Sequence, residues 1–349
     1  VKPGCLDPFI QWRLSVIALA FSLLFTKHSR ALLAIATAGL ASLVPLQAMA
    51  QSWLERPVKI IVPFVAGGPS DAIARIVSDK LSERWKQPVV VESRPGAGSN
   101  TGTKAVAHSA PDGYTLLVTT NAVVVNQTLF KSPGYDVTKD LVPIINVARA
   151  PNVVVGTKSL KATTLKDAIA EARGAKLSYG SPGSGTTPHL TCEYLFKVLG
   201  EVDVVHVPFK GAGDMNTAAM SGTIQLACGA VPAVFAIVAS GDVRGLGVTS
   251  IKRAAALPDV PTMTEAGIEG LGEDYIWIGF FAPGGTPDAL VTRLNADVAA
   301  VLGLAEVREK FAKIGFEIVG GSSDEFAQYV AIEVGKWAAV VKAIGIPPI

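Results

Sequence analysis

Apolar and polar positions along this chain repeat with two periods. Val58–Val62 is a short β-branched run closed by Pro63, the pattern of a strand buried on both faces. Behind it, Ile73, Ile76, Val77 and Leu81 recur at helical spacing. Val89–Val91 predicts a second strand, residues 100–109 a helix of small residues, and residues 114–118 a third strand entered through the turn Pro111-Asp112-Gly113. This βαβαβ order implies a parallel sheet with right-handed crossovers. The pattern pauses over residues 144–151 and then resumes. Strands are predicted near residues 153–155, 177–180, 204–207, 224–227 and 245–248, with helices near 165–173, 189–199, 214–221 and 233–239 between them. A turn-rich stretch, 254–274, leads to an aromatic strand at 275–281. Helices are predicted at 287–301 and 305–314. A last one opens on the capping box Ser322-Ser323-Asp324-Glu325 and keeps Phe326, Val330, Trp337 and Val341 on one face.

The C-terminal helices bring no sheet of their own and are expected to pack back on the first unit. The predicted fold class is therefore α/β with two lobes, each a sheet flanked by helices. Residues 51–149 with 276–349 form lobe I, and residues 150–275 form lobe II. Two crossings, near Asn146–Asn152 and Asp274–Phe281, act as the hinge.

The first 50 residues are expected to lie outside this fold. Lys27-His28-Ser29-Arg30 is a basic patch, Ala31–Val44 is apolar, and Ala48-Met49-Ala50 fits the small-x-small cleavage rule. This is the pattern of a secretory signal peptide with Gln51 as the expected mature start, which predicts export from the cytoplasm. The rival reading is a membrane anchor or hairpin, but the earlier apolar run Leu14–Phe25 falls short of the roughly 20 residues a span needs. The leader holds Lys2, Arg13, Lys27 and Arg30 against Asp7. Its removal takes the balance from 31 basic and 29 acidic residues to 27 and 28. So even a balance argues against a nucleic-acid partner. Cys5 leaves with the leader. Cys192 and Cys228 are either two buried thiols, the plainer reading, or a disulfide of an oxidising compartment; sequence does not place their Cα atoms.

Against this background one loop chemistry recurs. Four strand-like runs end in glycine-rich polar turns that open helices: Ala66-Gly67-Gly68-Pro69-Ser70-Asp71, Pro95-Gly96-Ala97-Gly98-Ser99-Asn100, Ser181-Pro182-Gly183-Ser184-Gly185-Thr186-Thr187-Pro188, and Phe209-Lys210-Gly211-Ala212-Gly213-Asp214. Each offers backbone N–H groups and a helix N-terminus, a ready site for anions. Gly67 and Gly68 permit close backbone approach, Ser70 and Thr187 suit N-cap positions, and Pro188 suits the first helical position. A single such turn is as often a plain connection. Four of them in a two-lobed α/β chain fall at the carboxyl ends of the strands, where such folds bind ligands.

Catalytic signatures do not accompany the turns. There is no Walker ending, and Gly96–Gly102 has one residue too many for a dinucleotide fingerprint. No G-x-S-x-G elbow and no nucleophile–base–acid set is visible. His108, His189 and His206 lack ligand spacing, so no metal or cofactor is expected. His189, just inside a helix start, is either a ligand contact or a satisfied structural group, and His206 alternates with apolar neighbours.

These residues carry a resemblance. Residues 51–349 are similar to the substrate-binding receptors of tripartite tricarboxylate transporters, the TctC-like or Bug family. The likeness runs through Arg56-Pro57, Ile60–Phe64, Ala66-Gly67-Gly68 with Asp71, Arg94–Gly98, and Pro111–Leu117. It continues through Pro188-His189-Leu190, His206–Gly211, Pro258–Thr262, Glu265-Ala266-Gly267, and Trp277 with Gly279. The resemblance implies a type II periplasmic binding fold that closes over a small organic anion, expected to be a carboxylate, and delivers it to membrane permease subunits. It implies a monomer with no catalytic residue. The ligand-binding set it implies is Phe64, Ala66, Gly67, Gly68, Ser70, Asp71, Asn100, Thr120, Ser181, Gly185, Thr186, Thr187, His189, Lys210, Gly211 and Gly229. In the family it resembles, the first and third turns hold the ligand carboxylate through amides, hydroxyls and ordered waters, and the same is expected here. Three positions depart from the family pattern. Val65 stands for a usual Pro, Pro69 for a usual Gly, and Gly229 where many relatives have Asp. Pro69 removes an N–H donor, and Gly229 disfavours amino-acid ligands. The competing functions are a secreted α/β hydrolase-like enzyme and a ligand-sensing subunit of a signalling system.

Overall fold

One strand runs the length of the fold in the computed structural model, which describes residues 54–348. This is β4, Leu141–Gly156. Its first half pairs antiparallel with β9 (Tyr275–Pro283) and with β10 (Glu317–Gly320). Its second half pairs antiparallel with β7 (Leu226–Ala230) and β8 (Arg244–Val248). Beyond β9 lie β3 (Thr115–Thr120), β1 (Val58–Val62) and β2 (Val89–Ser93), the last three parallel to one another. Beyond β7 lie β5 (Ser178–Ser181) and β6 (Val205–Pro208), again parallel. The result is two α/β lobes that share β4, with Tyr275 opposite Pro151 at the second crossing.

The register decides where the turns fall. Thr120, the end of β3, is level with Ile278, which is level with Ala148 on β4. Ala230, the end of β7, is opposite Asn152. The carboxyl ends of the parallel strands of both lobes therefore converge on the middle of β4.

Helices follow from apolar spacing and from their caps. In lobe I these are α1 (Pro69–Trp85), α2 (Asn100–Ala107) and α3 (Ala122–Leu129). Lobe II has α4 (Leu165–Ala172), α5 (Thr187–Glu193), α6 (Ala212–Ser221) and α7 (Val231–Ala239). The C-terminal helices are α8 (Asp288–Leu302), α9 (Ala305–Lys313) and α10 (Ser323–Ile344). The expected capping box is formed: Ser322 and Glu325 satisfy each other's backbone N–H. It sets α10 so that Phe326, Val330, Trp337 and Val341 enter the lobe I core against Trp277 and Phe281. Among the described residues no helix is long and apolar enough to cross a membrane. The expected leader, 1–50, lies outside the described residues.

Three local readings are corrected. Residues 144–151 are not a pause but the interior of β4, which absorbs Pro143 at a register shift and Pro151 where lobe I pairing ends. The C-terminal segment does add a strand, β10, to the lobe I sheet. The helix expected from His189 begins at Thr187, and past Glu193 it widens into a π turn over Tyr194–Leu199. Cys192 on α5 and Cys228 on β7 are both buried and are joined as a disulfide, with Cα atoms 6.5 Å apart.

Candidate ligand-binding cleft

The first turn follows β1. Phe64 is half-buried, and Ala66 and Gly67 are exposed. Pro69 occupies the first position of α1. Asp71 is buried, and its carboxylate is engaged within its own turn and helix. Its carboxylate accepts the Gly67 N–H at 3.0 Å and the Arg75 guanidinium at 2.9 and 3.0 Å. The bonds from Arg75 outweigh burial and hold its carboxyl below the ordinary value. Asp71 therefore braces the turn, and the Gly67 amide is spent. The amides of Gly68 and Ser70 have no partner among the described residues and remain to bind an anion.

Asn100 and Thr120 end the neighbouring connections. The Asn100 Oδ1 accepts Asn126 Nδ2 at 2.7 Å and the Tyr135 hydroxyl at 3.2 Å. Asn126 also donates to the Gly98 carbonyl at 2.7 Å, which fastens the second glycine turn to α3. With its oxygen committed inward, Asn100 keeps both amide protons on Nδ2 as donors. Thr120 Oγ1 accepts the Ala122 N–H at 3.2 Å and keeps its own proton to donate. Asn121, which sequence reading missed, donates to the Tyr275 carbonyl at 3.0 Å and ties this edge to the second crossing.

The third turn follows β5 and is bonded to itself. Ser181 Oγ lies 2.7 Å from His206 Nε2 and accepts the Gly183 N–H at 3.3 Å. Thr186 donates its hydroxyl to the Gly183 carbonyl at 2.7 Å, so that hydroxyl shapes the turn. The Gly185 N–H donates to His189 Nδ1 at 3.1 Å. What is left is the Ser184 and Thr187 amides and the hydroxyl of Thr187, none with a partner among the described residues. Gly185 has φ +79°, and a side chain there would strike Leu129 of α3. The turn of one lobe thus touches the other lobe.

Lys210 and Gly211 follow β6. Lys210 is exposed and a Cβ added at Gly211 would meet nothing, so this turn forms part of the rim rather than a buried contact. Gly229 is the penultimate residue of β7. A Cβ at this position would lie 2.8 Å from Val234 Cγ1 and 3.2 Å from Met215 Cε, inside the apolar layer of lobe II. It does not present a side-chain position to the cleft.

Two clusters were not foreseen. His189, Glu193 and His206, isolated in sequence, meet because β5 and β6 are neighbours and α5 starts at their ends. The two imidazoles stack at 3.9 Å between centroids. Burial, helped by His206, pushes His189 down to about 4, and burial also lowers His206. Glu193 accepts the Tyr179 hydroxyl at 2.6 Å and pairs with Lys197 at 2.6 Å. At the second crossing, Asp274 accepts Asn152 Nδ2 at 2.9 Å and the Thr191 hydroxyl at 2.5 Å. Lys336 of α10 lies 3.5 Å from Asp274 and 3.3 Å from Glu333. This network joins both lobes at the hinge.

A model of the tripartite tricarboxylate transporter family receptors matches residues 73–346. Protein BugT of Bordetella pertussis is 35% identical over 315 residues, covering 89% of this chain and 95% of BugT. The structure of R. palustris Rpa4515 with adipate is 37% identical with a TM-score of 0.78, covering 85% of this chain and 100% of that one. MatC from Rhodopseudomonas palustris, solved with bound malate, is 29% identical with a TM-score of 0.74, covering 82% of this chain and 99% of MatC. With the matched region spanning both lobes, the chain belongs to the tripartite tricarboxylate transporter receptor family.

Proposed function

We propose that this protein is a periplasmic receptor that captures a small carboxylate between its lobes and delivers it to membrane permease subunits. The observation that carries this reading is the pair of facing turns. Gly68 and Ser70 on lobe I, and Ser184 and Thr187 on lobe II, keep amides without partners at the point where both sets of strands converge. Such donors suit a carboxylate, because they supply charge-assisted hydrogen bonds. Asn100 and the Thr187 hydroxyl add donors, and no buried carboxylate among the proposed contacts opposes an anion once Asp71 is paired with Arg75. Lobe closure about β4 and β9 brings the two turns together, and the ligand shifts that equilibrium. The adipate and malate of the two relatives make dicarboxylates the first class to test.

The test is a thermal-shift screen of mono-, di- and tricarboxylates, with mass spectrometry of whatever the purified protein retains. A raised melting temperature with one carboxylate subset supports the reading, and no response to any carboxylate contradicts it. One observation favours an enzyme instead: Ser181 and His206 form a close Ser–His pair. Ser181 is fully buried, however, and its oxygen is shared with the Gly183 backbone. Labelling of Ser181 by a fluorophosphonate, or turnover of a p-nitrophenyl ester lost in Ser181→Ala, would support the enzyme.

A further inference from the structure

The third turn is fastened at both ends to one imidazole stack. At one end His206 meets Ser181 Oγ, and at the other His189 Nδ1 meets the Gly185 N–H. A backbone amide can only donate. Nδ1 of His189 therefore carries a lone pair, and the ring proton of the neutral imidazole is on Nε2. Gly185 is confined from its other side by Leu129 and holds a left-handed φ of +79°. Its amide direction is thus set by few contacts, and His189 is the one that accepts it.

We infer that His189 is a positioning residue: by accepting the Gly185 amide it fixes the turn so that the Ser184 and Thr187 amides remain for the ligand carboxylate. This rests on the receptor reading only for what the turn binds. The same geometry weighs against a metal at His189, Glu193 and His206, although their candidate ligand atoms lie within 4.8 Å of one another. A metal on His189 Nε2 needs a lone pair there, and the Gly185 amide already requires the other one. Glu193 is held by Tyr179 and Lys197, and His206 Nε2 by Ser181. Around the stack the titratable and charged groups are Tyr179 from β5, His206 from β6, Glu193 from α5 and Lys197 from the π turn. Protonation of His189 would put a second donor against the Gly185 amide and release it.

Two amide substitutions separate the ring nitrogens. His189→Asn puts a carbonyl oxygen near the place of Nδ1, and His189→Gln puts one near the place of Nε2. Hydrogen exchange at the Gly185 amide and calorimetric titration with adipate are measured on the wild type, on both variants and on His189→Ala, with circular dichroism as the folding control. His189→Ala and His189→Gln are expected to lose Gly185 protection by roughly tenfold, the worth of one hydrogen bond, and adipate affinity with it. His189→Asn should retain both. Unchanged Gly185 protection in His189→Ala overturns the inference. So does rescue by Gln and not Asn, which would move the role of His189 to Nε2. If wild type binds no adipate, Gly185 protection still decides the positioning role, and the failure belongs to the ligand assignment alone.

Discussion

Removal of the Cys192–Cys228 disulfide is the perturbation with the most direct arithmetic. The bridge closes a loop with a sequence separation of 36 and joins α5, which carries the third turn, to β7. In the chain-entropy description a loop of that length restricts the unfolded ensemble by about 4 kcal/mol at 25 °C. Both sulfurs are buried in a layer with Tyr179, Phe196 and Met263, so deleting them also leaves a small cavity. The measurement is urea unfolding of oxidised protein, of protein in reductant, and of Cys192→Ala/Cys228→Ala. Oxidised protein should be more stable than reduced protein by about 4 kcal/mol, with the double variant at least as destabilised as reduced protein. The unfolding slope should be larger without the bridge, because the unlinked chain exposes more surface. At the lower end of the usual proportion, this is roughly an 8 °C fall in Tm. Oxidised and reduced protein unfolding within about 1 kcal/mol of each other would refute the reasoning, since the bridge would then constrain little that is not already constrained.

Lys336→Met should cost about 3 kcal/mol in denaturant unfolding, because Asp274 and Glu333 are buried carboxylates that lose their shared cation. Gly229→Asp should lower the Tm sharply or prevent folding, since its carboxylate would enter the layer of Val234 and Met215 without a partner; wild-type stability with weakened carboxylate binding would show instead that residue 229 faces the ligand. Stability should fall with acid through His189. Its unfolded value is 6.5 and its folded value about 4, so between those pH values the unfolded chain binds the extra proton. The contribution is fully present above pH 6.5 and falls as pH drops toward 4, by ~3 kcal/mol in all, and unfolding curves of His189→Asn across that range should lack this component.

The periodicity of the chain made β1 legible to the residue and showed that a helix follows it, because β-branched runs and helical spacing are local signals. Four glycine turns at strand ends were legible for the same reason. What escaped depends on pairing. Pro143 and Pro151 break the local strand pattern, and only pairing with β9 and β10 on one half and with β7 and β8 on the other makes residues 141–156 one strand. Helix α3, with Val123, Val124 and Val125 in succession, lacks helical propensity and is held by burial in the lobe I core. His189 and His206 are separate in sequence and become neighbours only when β5 pairs with β6. Sequence placed Asp71 and Gly185 in the right turns, but their contacts were decided by Arg75 and by His189. The Cys192–Cys228 pair could not be read, because sequence carries no distance.

The central claim is that one small carboxylate is held jointly by the first and third turns. Residue-resolved hydrogen exchange with and without saturating adipate, or the carboxylate that the thermal-shift screen selects, tests it most directly. The account predicts that Gly68 and Ser70 in lobe I and Ser184 and Thr187 in lobe II all gain protection together. Protection confined to one lobe, or appearing elsewhere while both turns exchange as before, would contradict it.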